Sequence, residues 1–133
     1  MKIKGRIVNE GNAAGQAVVL DVPFSFIGDF DPNTGKITIL NHPMFGESIA
    51  GKILVCPSGK GGTIAPFVAY EAMKKGNAPA AILCREADPI LCESALAIDV
   101  PMLDSFDEDL FQMVKTGQAV SIENGEVSVE EQA

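Results

Sequence analysis

The sequence predicts an α/β fold, a three-layer β/β/α domain, and three observations predict it. The N-terminal half, to Cys56, is β-rich and reads as short strands and turns. From Thr63 onward the chain alternates strand and helix, a βαβ-type C-terminal half that places helices on one face of a mainly parallel sheet. The length of 133 residues, 47% of them hydrophobic and 21% charged, suits one compact core, because a chain of this size buries roughly two thirds of its unfolded surface. Residues 1–129 are therefore expected to form a single domain, followed by a loose acidic tail at 130–133.

The elements follow in order. Lys2, Lys4 and Arg6 alternate with Ile3, Gly5 and Ile7, the period of a half-buried strand from Met1 to Ile7, and Gly11, Asn12 and Gly15 break it. Ala17 to Leu20 is a short apolar strand. Asp31-Pro32-Asn33-Thr34-Gly35 is a turn: proline presets φ, asparagine and glycine accept the left-handed region, and Ile37 to Leu40 continues as a strand. Lys52 to Cys56 is apolar enough for the middle of a sheet. Ala65, Val68, Ala69, Ala72 and Met73 share one helical face, Glu71 and Lys75 form an outward i,i+4 pair, and Gly76 ends the helix. Ala80 to Cys84 is a strand. Asp88-Pro89 caps and starts a short helix, and Val100 to Leu103 is the next strand. Ser105-Phe106-Asp107-Glu108 has the pattern of a capping box for a helix lined by Leu110, Phe111, Met113 and Val114 and closed by Gly117. Ala119 to Ile122 and Glu126 to Val129 pair as a hairpin across Asn124-Gly125.

Charge narrows the function classes. Ten Lys and Arg stand against 18 Asp and Glu, a formal net charge of −8, and no cationic cluster offers the counterion release on which nucleic-acid affinity rests. Lys74 and Lys75 fit a solvated helix face. No apolar run reaches the length of a membrane span, and Met1 to Ile7 alternates unlike a signal peptide, so a soluble, cytoplasmic protein without membrane partners is expected. Cys56, Cys84 and Cys92 form no CxxC and sit in apolar contexts, as reduced core thiols do; Cys84 and Cys92 are the pair worth testing.

The strongest local signal is Pro57-Ser58-Gly59-Lys60-Gly61-Gly62-Thr63, between a strand end and a helix start. Three glycines let backbone approach a ligand, amides at the helix start point outward, and Lys60 adds positive charge, so a small anion is the natural occupant. It is not a Walker A loop, since Gly61-Gly62 separates Lys60 from Thr63. A flexible turn with Thr63 as N-cap is the plainer reading. His42, the only histidine, is open to acid/base, phosphocarrier or structural roles. Phe24-Ser25-Phe26-Ile27-Gly28 and Asp29 to Asp31 are open to a partner surface or buried core. Asp104, Asp107, Glu108 and Asp109 crowd a helix start, where capping accounts for them.

Over residues 4–120 the chain resembles the small subunit, or swivelling domain, of the aconitase X family. The resemblance rests on Gly5-Arg6, Gly15-Gln16-Ala17, Pro23 to Gly28, Asp31 to Gly35, His42-Pro43, Gly46, Gly51 to Leu54, the Ser58-Gly59-Lys60-Gly61 loop, Gly76 to Ala80 and Asp88 to Pro101, in that order and spacing. It implies a two-component hydro-lyase that dehydrates a hydroxy acid such as mevalonate 5-phosphate or a hydroxyproline. The large subunit would carry an iron–sulfur cluster or mononuclear iron, with no cofactor bound by this chain alone, and the small subunit would close a serine-bearing loop over the substrate. Family loops resemble Gly-x-Gly-Ser, and the register puts Gly62 where that serine stands. Three assignments are then open, in this order: Lys60, Gly61 and Gly62 only bind substrate and the base belongs to the large subunit; Thr63 replaces the serine; or Ser58 reaches in from the other limb. A non-catalytic swivelling module, or a phosphohistidine carrier using His42, is the alternative.

Overall fold

The computed structural model describes residues 1–130; the expected tail at 130–133 lies outside them except for Glu130, whose N–H donates to the Ala119 carbonyl at 2.9 Å. The strands are β1 (Lys2–Lys4), β2 (Arg6–Asn9), β3 (Ala13–Val19), β4 (Phe30–Asp31), β5 (Lys36–Ile37), β6 (Ile53–Cys56), β7 (Ala81–Cys84), β8 (Met102–Asp104), β9 (Ala119–Glu123) and β10 (Glu126–Val129). The helices are α1 (Ala65–Lys74), α2 (Pro89–Ile98) and α3 (Leu110–Met113). The main sheet runs β1-β10-β9-β3-β6-β7-β8-β2, with β4 and β5 as a separate hairpin.

Only the block β3-β6-β7-β8 is parallel; every other pairing in the sheet is antiparallel, so the sheet is mixed where a mainly parallel one was expected. Two apolar clusters make the three layers. Leu54, Cys56, Ile82 and Cys84 face one way, toward Ala65, Ala69 and Ala72 of α1 and Leu91, Ala95 and Ile98 of α2. Ile53, Val55, Ala81 and Leu83 face the other way, toward Ile3, Val120, Ile122 and Val127 of the antiparallel strands. The period-2 alternation of β6 and β7 thus feeds two cores at once, which is why both strands are apolar throughout. Burying each of the Leu, Ile and Val side chains contributes about 1.5–3 kcal/mol.

Two expectations fail for non-local reasons. The single strand from Met1 to Ile7 is split at Gly5 into β1 and β2, which sit at opposite ends of the strand order. A Cβ at Gly5 would lie 2.6 Å from the Phe106 ring and 3.0 Å from the Asp104 carbonyl, so a side chain here would crowd the crossing from one sheet layer to the other, where the Gly5 N–H donates to the Gly125 carbonyl. The Ser105–Glu108 capping box does not form. Asp109 caps α3 through the Phe111 N–H, and Ser105 adopts a φ of 52°. Asp107 instead pairs with Lys4 through both N–H groups, bracing the split strand.

The local signals hold elsewhere. Asn124 and Gly125, with φ of 52° and 79°, turn the β9–β10 hairpin. Gly76 closes α1, its N–H bonding the Met73 carbonyl while the Asn77 N–H bonds Ala72. Lys75 meets Glu71 at 3.1 Å as expected. The strand expected at Ile37 to Leu40 shortens to Lys36–Ile37.

Candidate functional site

Because β3, β6, β7 and β8 run parallel, their carboxyl ends share one edge, and the glycine loop follows β6 there. The loop lies on the segment Phe24 to Asp29. Phe24, Phe26 and Phe30 are buried and packed edge to face, with ring centroids 5.0–6.4 Å apart, anchoring that segment in the core. This assigns the phenylalanines to the core. Phe24 bridges Gly59 and its N–H donates to the Ser58 carbonyl at 3.0 Å. The Ser25 hydroxyl donates to the Gly61 carbonyl at 3.0 Å and accepts the Ile27 N–H at 3.2 Å. Asp29, nearly buried, accepts the Ser25 N–H at 3.1 Å and the Lys60 ammonium at 2.7 Å.

Each loop residue now has a place. A Cβ at Gly59 would fall 1.8 Å from Asp88 Oδ1 and 2.9 Å from Leu91 Cβ, so only glycine lets the loop pack against the start of α2. The crevice there leaves no room for a water molecule. Gly61 and Gly62 both have φ near 90°, a region that side chains rarely adopt. A Cβ at Gly62 would lie 2.5 Å from Ile27 Cγ2, so the position where the resemblance would place a serine is shaped for glycine. Thr63 is exposed and its hydroxyl has no partner among the described residues. Ser58 is half-buried and donates to the carbonyl of Gly59, turned into its own loop.

The helix start differs from expectation. α1 begins at Ala65, and its N-cap is Ile64, not Thr63, with no side-chain cap. Ala65 and Phe67 donate to the carbonyls of Gly62 and Ile64, and Pro66 has no N–H, so the first turn is largely used up. The N–H groups of Gly61, Gly62 and Thr63, just ahead of the helix, donate to no protein acceptor among the described residues. The amides able to meet an anion are therefore those of the loop.

The other candidates lie apart from this cradle. His42 is held at both ring nitrogens: Nδ1 accepts the Met44 N–H at 3.0 Å, which places the ring proton on Nε2, 2.7 Å from Asp21 Oδ1. That bond also holds the Asp21 carboxyl below its usual range. Asp104 is fully buried; burial raises its pKa, but the bidentate Arg6 guanidinium and the Ala87 N–H, each at 2.8 Å, outweigh it and lower the net value. Cys56 and Cys84 lie side by side in register on β6 and β7, rather than Cys84 with Cys92 standing out. Burial pushes the Cys56 thiol up to about 12 and raises Cys84 and Cys92 as well. Such thiols resist ionisation, and no group of three His, Cys, Asp or Glu side chains that could hold a metal ion forms among the described residues.

Sequence reasoning missed Ser25 and Asp29 as parts of the site. The resemblance includes Pro23 to Gly28, and so Ser25 but not Asp29, and only the fold brings residues 25–29 beneath the loop.

The family model described as "Aconitase X swivel domain" matches residues 2–130. The phosphomevalonate dehydratase small subunit of Methanothermobacter thermautotrophicus is 36% identical over 126 residues, covering 95% of this chain and 96% of that protein. The phosphomevalonate dehydratase small subunit of Thermococcus onnurineus is 42% identical over 133 residues, covering 98% and 100%. The crystal structure of Thermococcus kodakaraensis aconitase X in its holo-form superposes with a TM-score of 0.91 at 41% identity, over 98% of this chain and 99% of that one.

Proposed function

The chain belongs to the aconitase X swivel-domain family, and we propose on that premise that it is the small subunit of a dehydratase, active only with a large subunit. The names of its relatives point to mevalonate 5-phosphate as the hydroxy acid that loses water. The observation that carries the reading is the open glycine loop at the carboxyl edge of the parallel strands, the position where ligands of such sheets bind.

The loop is half a site. Its amides at Gly61, Gly62 and Thr63 suit a carboxylate or phosphate oxygen. Around it stand exposed apolar side chains, Ile27, Ile64 and Phe67, the last 76% exposed, and these form the surface on which the large subunit docks. Dehydration needs a base for the carbon-bound proton and help for the departing hydroxyl. An iron–sulfur cluster or iron centre in the large subunit supplies the Lewis acid. This chain contributes the anion seat and one outward hydroxyl, Thr63, which the partner's charge would have to activate, because an isolated alcohol is too weak a base near neutral pH. Ser58, bonded inward, is the lesser candidate. Residues 25–29 hold the seat in shape. No described helix is long and apolar enough to cross a membrane, and a cytoplasmic setting goes with this reading.

Reconstitution tests it. The chain alone should be inactive and should co-purify with an iron-binding large subunit, and the complex should dehydrate mevalonate 5-phosphate. A stable free protein encoded beside no such partner would count against the proposal. The phosphohistidine-carrier alternative has His42 with both nitrogens engaged, and phosphate transfer surviving His42→Ala would exclude it.

A further inference from the structure

Lys60 is the cation that the sequence offers to an anion, yet its ammonium is 2.7 Å from Asp29 Oδ2. Asp29 is not a passing surface partner. Its side chain is only 10% exposed, while that of Lys60 is 48% exposed, and the same carboxylate oxygen also accepts the Ser25 N–H. Thr38 fixes the Asp29 backbone, donating its N–H to the Asp29 carbonyl at 2.9 Å, and its hydroxyl donates to the Gly28 carbonyl at 3.2 Å. The carboxylate is therefore held in place and the flexible lysine comes to it. The other cation on the neighbouring loop, Arg85, is turned to Asp109 at 3.5 Å and stacked on the Phe111 ring at 4.3 Å.

We propose that Asp29 is a specificity-determining residue of the glycine loop: it neutralises Lys60, so the seat meets an anion with backbone amides and no net charge of its own. The inference rests on the reading of this loop as an anion seat. An ammonium already paired with a fixed carboxylate presents a dipole rather than a charge, and an anion placed beside it is repelled by the carboxylate nearly as much as it is attracted. The cation that balances a doubly charged substrate must then come from the large subunit, and the free small subunit should hold anions weakly. The same arrangement makes Asp29 the position at which the seat's preference between singly and doubly charged groups is set.

The test is an inorganic phosphate titration of the full chain, followed through the amide resonances of Gly61, Gly62 and Thr63. Four proteins form a cycle: wild type, D29N, K60M and D29N/K60M. D29N keeps an oxygen to accept the Ser25 N–H and removes only the charge. Expected is a Kd about threefold to tenfold lower in D29N than in wild type, the range of a partly exposed charge contact. K60M should bind more weakly than wild type, and the double variant should return to within about twofold of wild type, because the two proteins carry the same net charge at the loop. If D29N binds no better than wild type, or if the double variant is as weak as K60M, the proposal is overturned: Lys60 then contacts the anion despite Asp29. Absence of any loop shift in all four proteins overturns it too. The titration needs no large subunit, so its failure is separate from failure of the wild-type complex to dehydrate its substrate.

Discussion

The loops that follow β6 and β7 differ in one respect that separates a ligand site from a structural joint. Both leave a parallel strand at the same edge and enter a helix packed on the same sheet face. The β7 loop satisfies its own amides: Asp88 accepts the N–H groups of Ile90 and Leu91, and Asp104 accepts that of Ala87. Protein carboxylates fill the positions an external anion would take. The β6 loop brings no carboxylate to its amides; α1 has no side-chain cap, and Gly61, Gly62 and Thr63 are left open. A helix start alone says little about binding, and the filled or open state of the amides ahead of it says more.

The largest effect is expected where the two loops touch, at Gly59 against Asp88 and Leu91. Gly59→Ala places a methyl against Asp88 and Leu91 and should cost about 3 kcal/mol, read as a lower urea midpoint at unchanged m. Next is Gly62→Ser, which installs the serine that the resemblance implies at this position, but at a φ of 91° and against Ile27; a loss of about 1–3 kcal/mol is expected, partly recovered by Ile27→Ala in the same chain. If Gly62→Ser is neutral by itself, the loop is not shaped for glycine. Asp88→Ala uncaps α2 and should cost about 1 kcal/mol, while opening the β7 amides to solvent, visible as faster exchange at Ile90 and Leu91.

Acid should loosen the filled loop through Asp104. Its folded pKa lies below the unfolded value, so its contribution is fully present above the unfolded pKa and is lost as pH falls through the folded one. Arg6→Met removes the guanidinium that lowers it and should flatten that part of the stability-versus-pH curve. The smallest stability effect, within about 0.5 kcal/mol, belongs to Thr63→Ala. Its effect should appear in the reconstituted complex: a fall in kcat marks a role for the hydroxyl in the transition state, and a rise in KM alone marks binding.

Much of this was legible in the chain. Asp88-Pro89, Asn124-Gly125 and Gly76 each carry their structural instruction within a few residues, and all three form; the turn from Asp31 to Gly35 forms too, with Gly35 but not Asn33 in the left-handed region. The glycine loop was found as a strand-to-helix junction, and the resemblance to aconitase X carried the family. The capping box at Ser105 shows the limit. The pattern was correct, but Asp107 had a better use 103 residues away at Lys4, and a capping contact of about 1 kcal/mol does not outweigh a packed, doubly bonded junction.

The sequence by itself determined the α/β class, the two-faced apolar strands, the local turns and the position of the loop, because these depend on side-chain period and on φ preferences that act over a few residues. Tertiary structure alone decided that Gly5 divides one strand between two layers, that Ser25 and Asp29 lie beneath Gly61 and Lys60, and that a side chain at position 62 meets Ile27. Those facts depend on contacts between segments about 30 to 100 residues apart, whose geometry is set by how the layers pack and leaves no periodic trace in the chain.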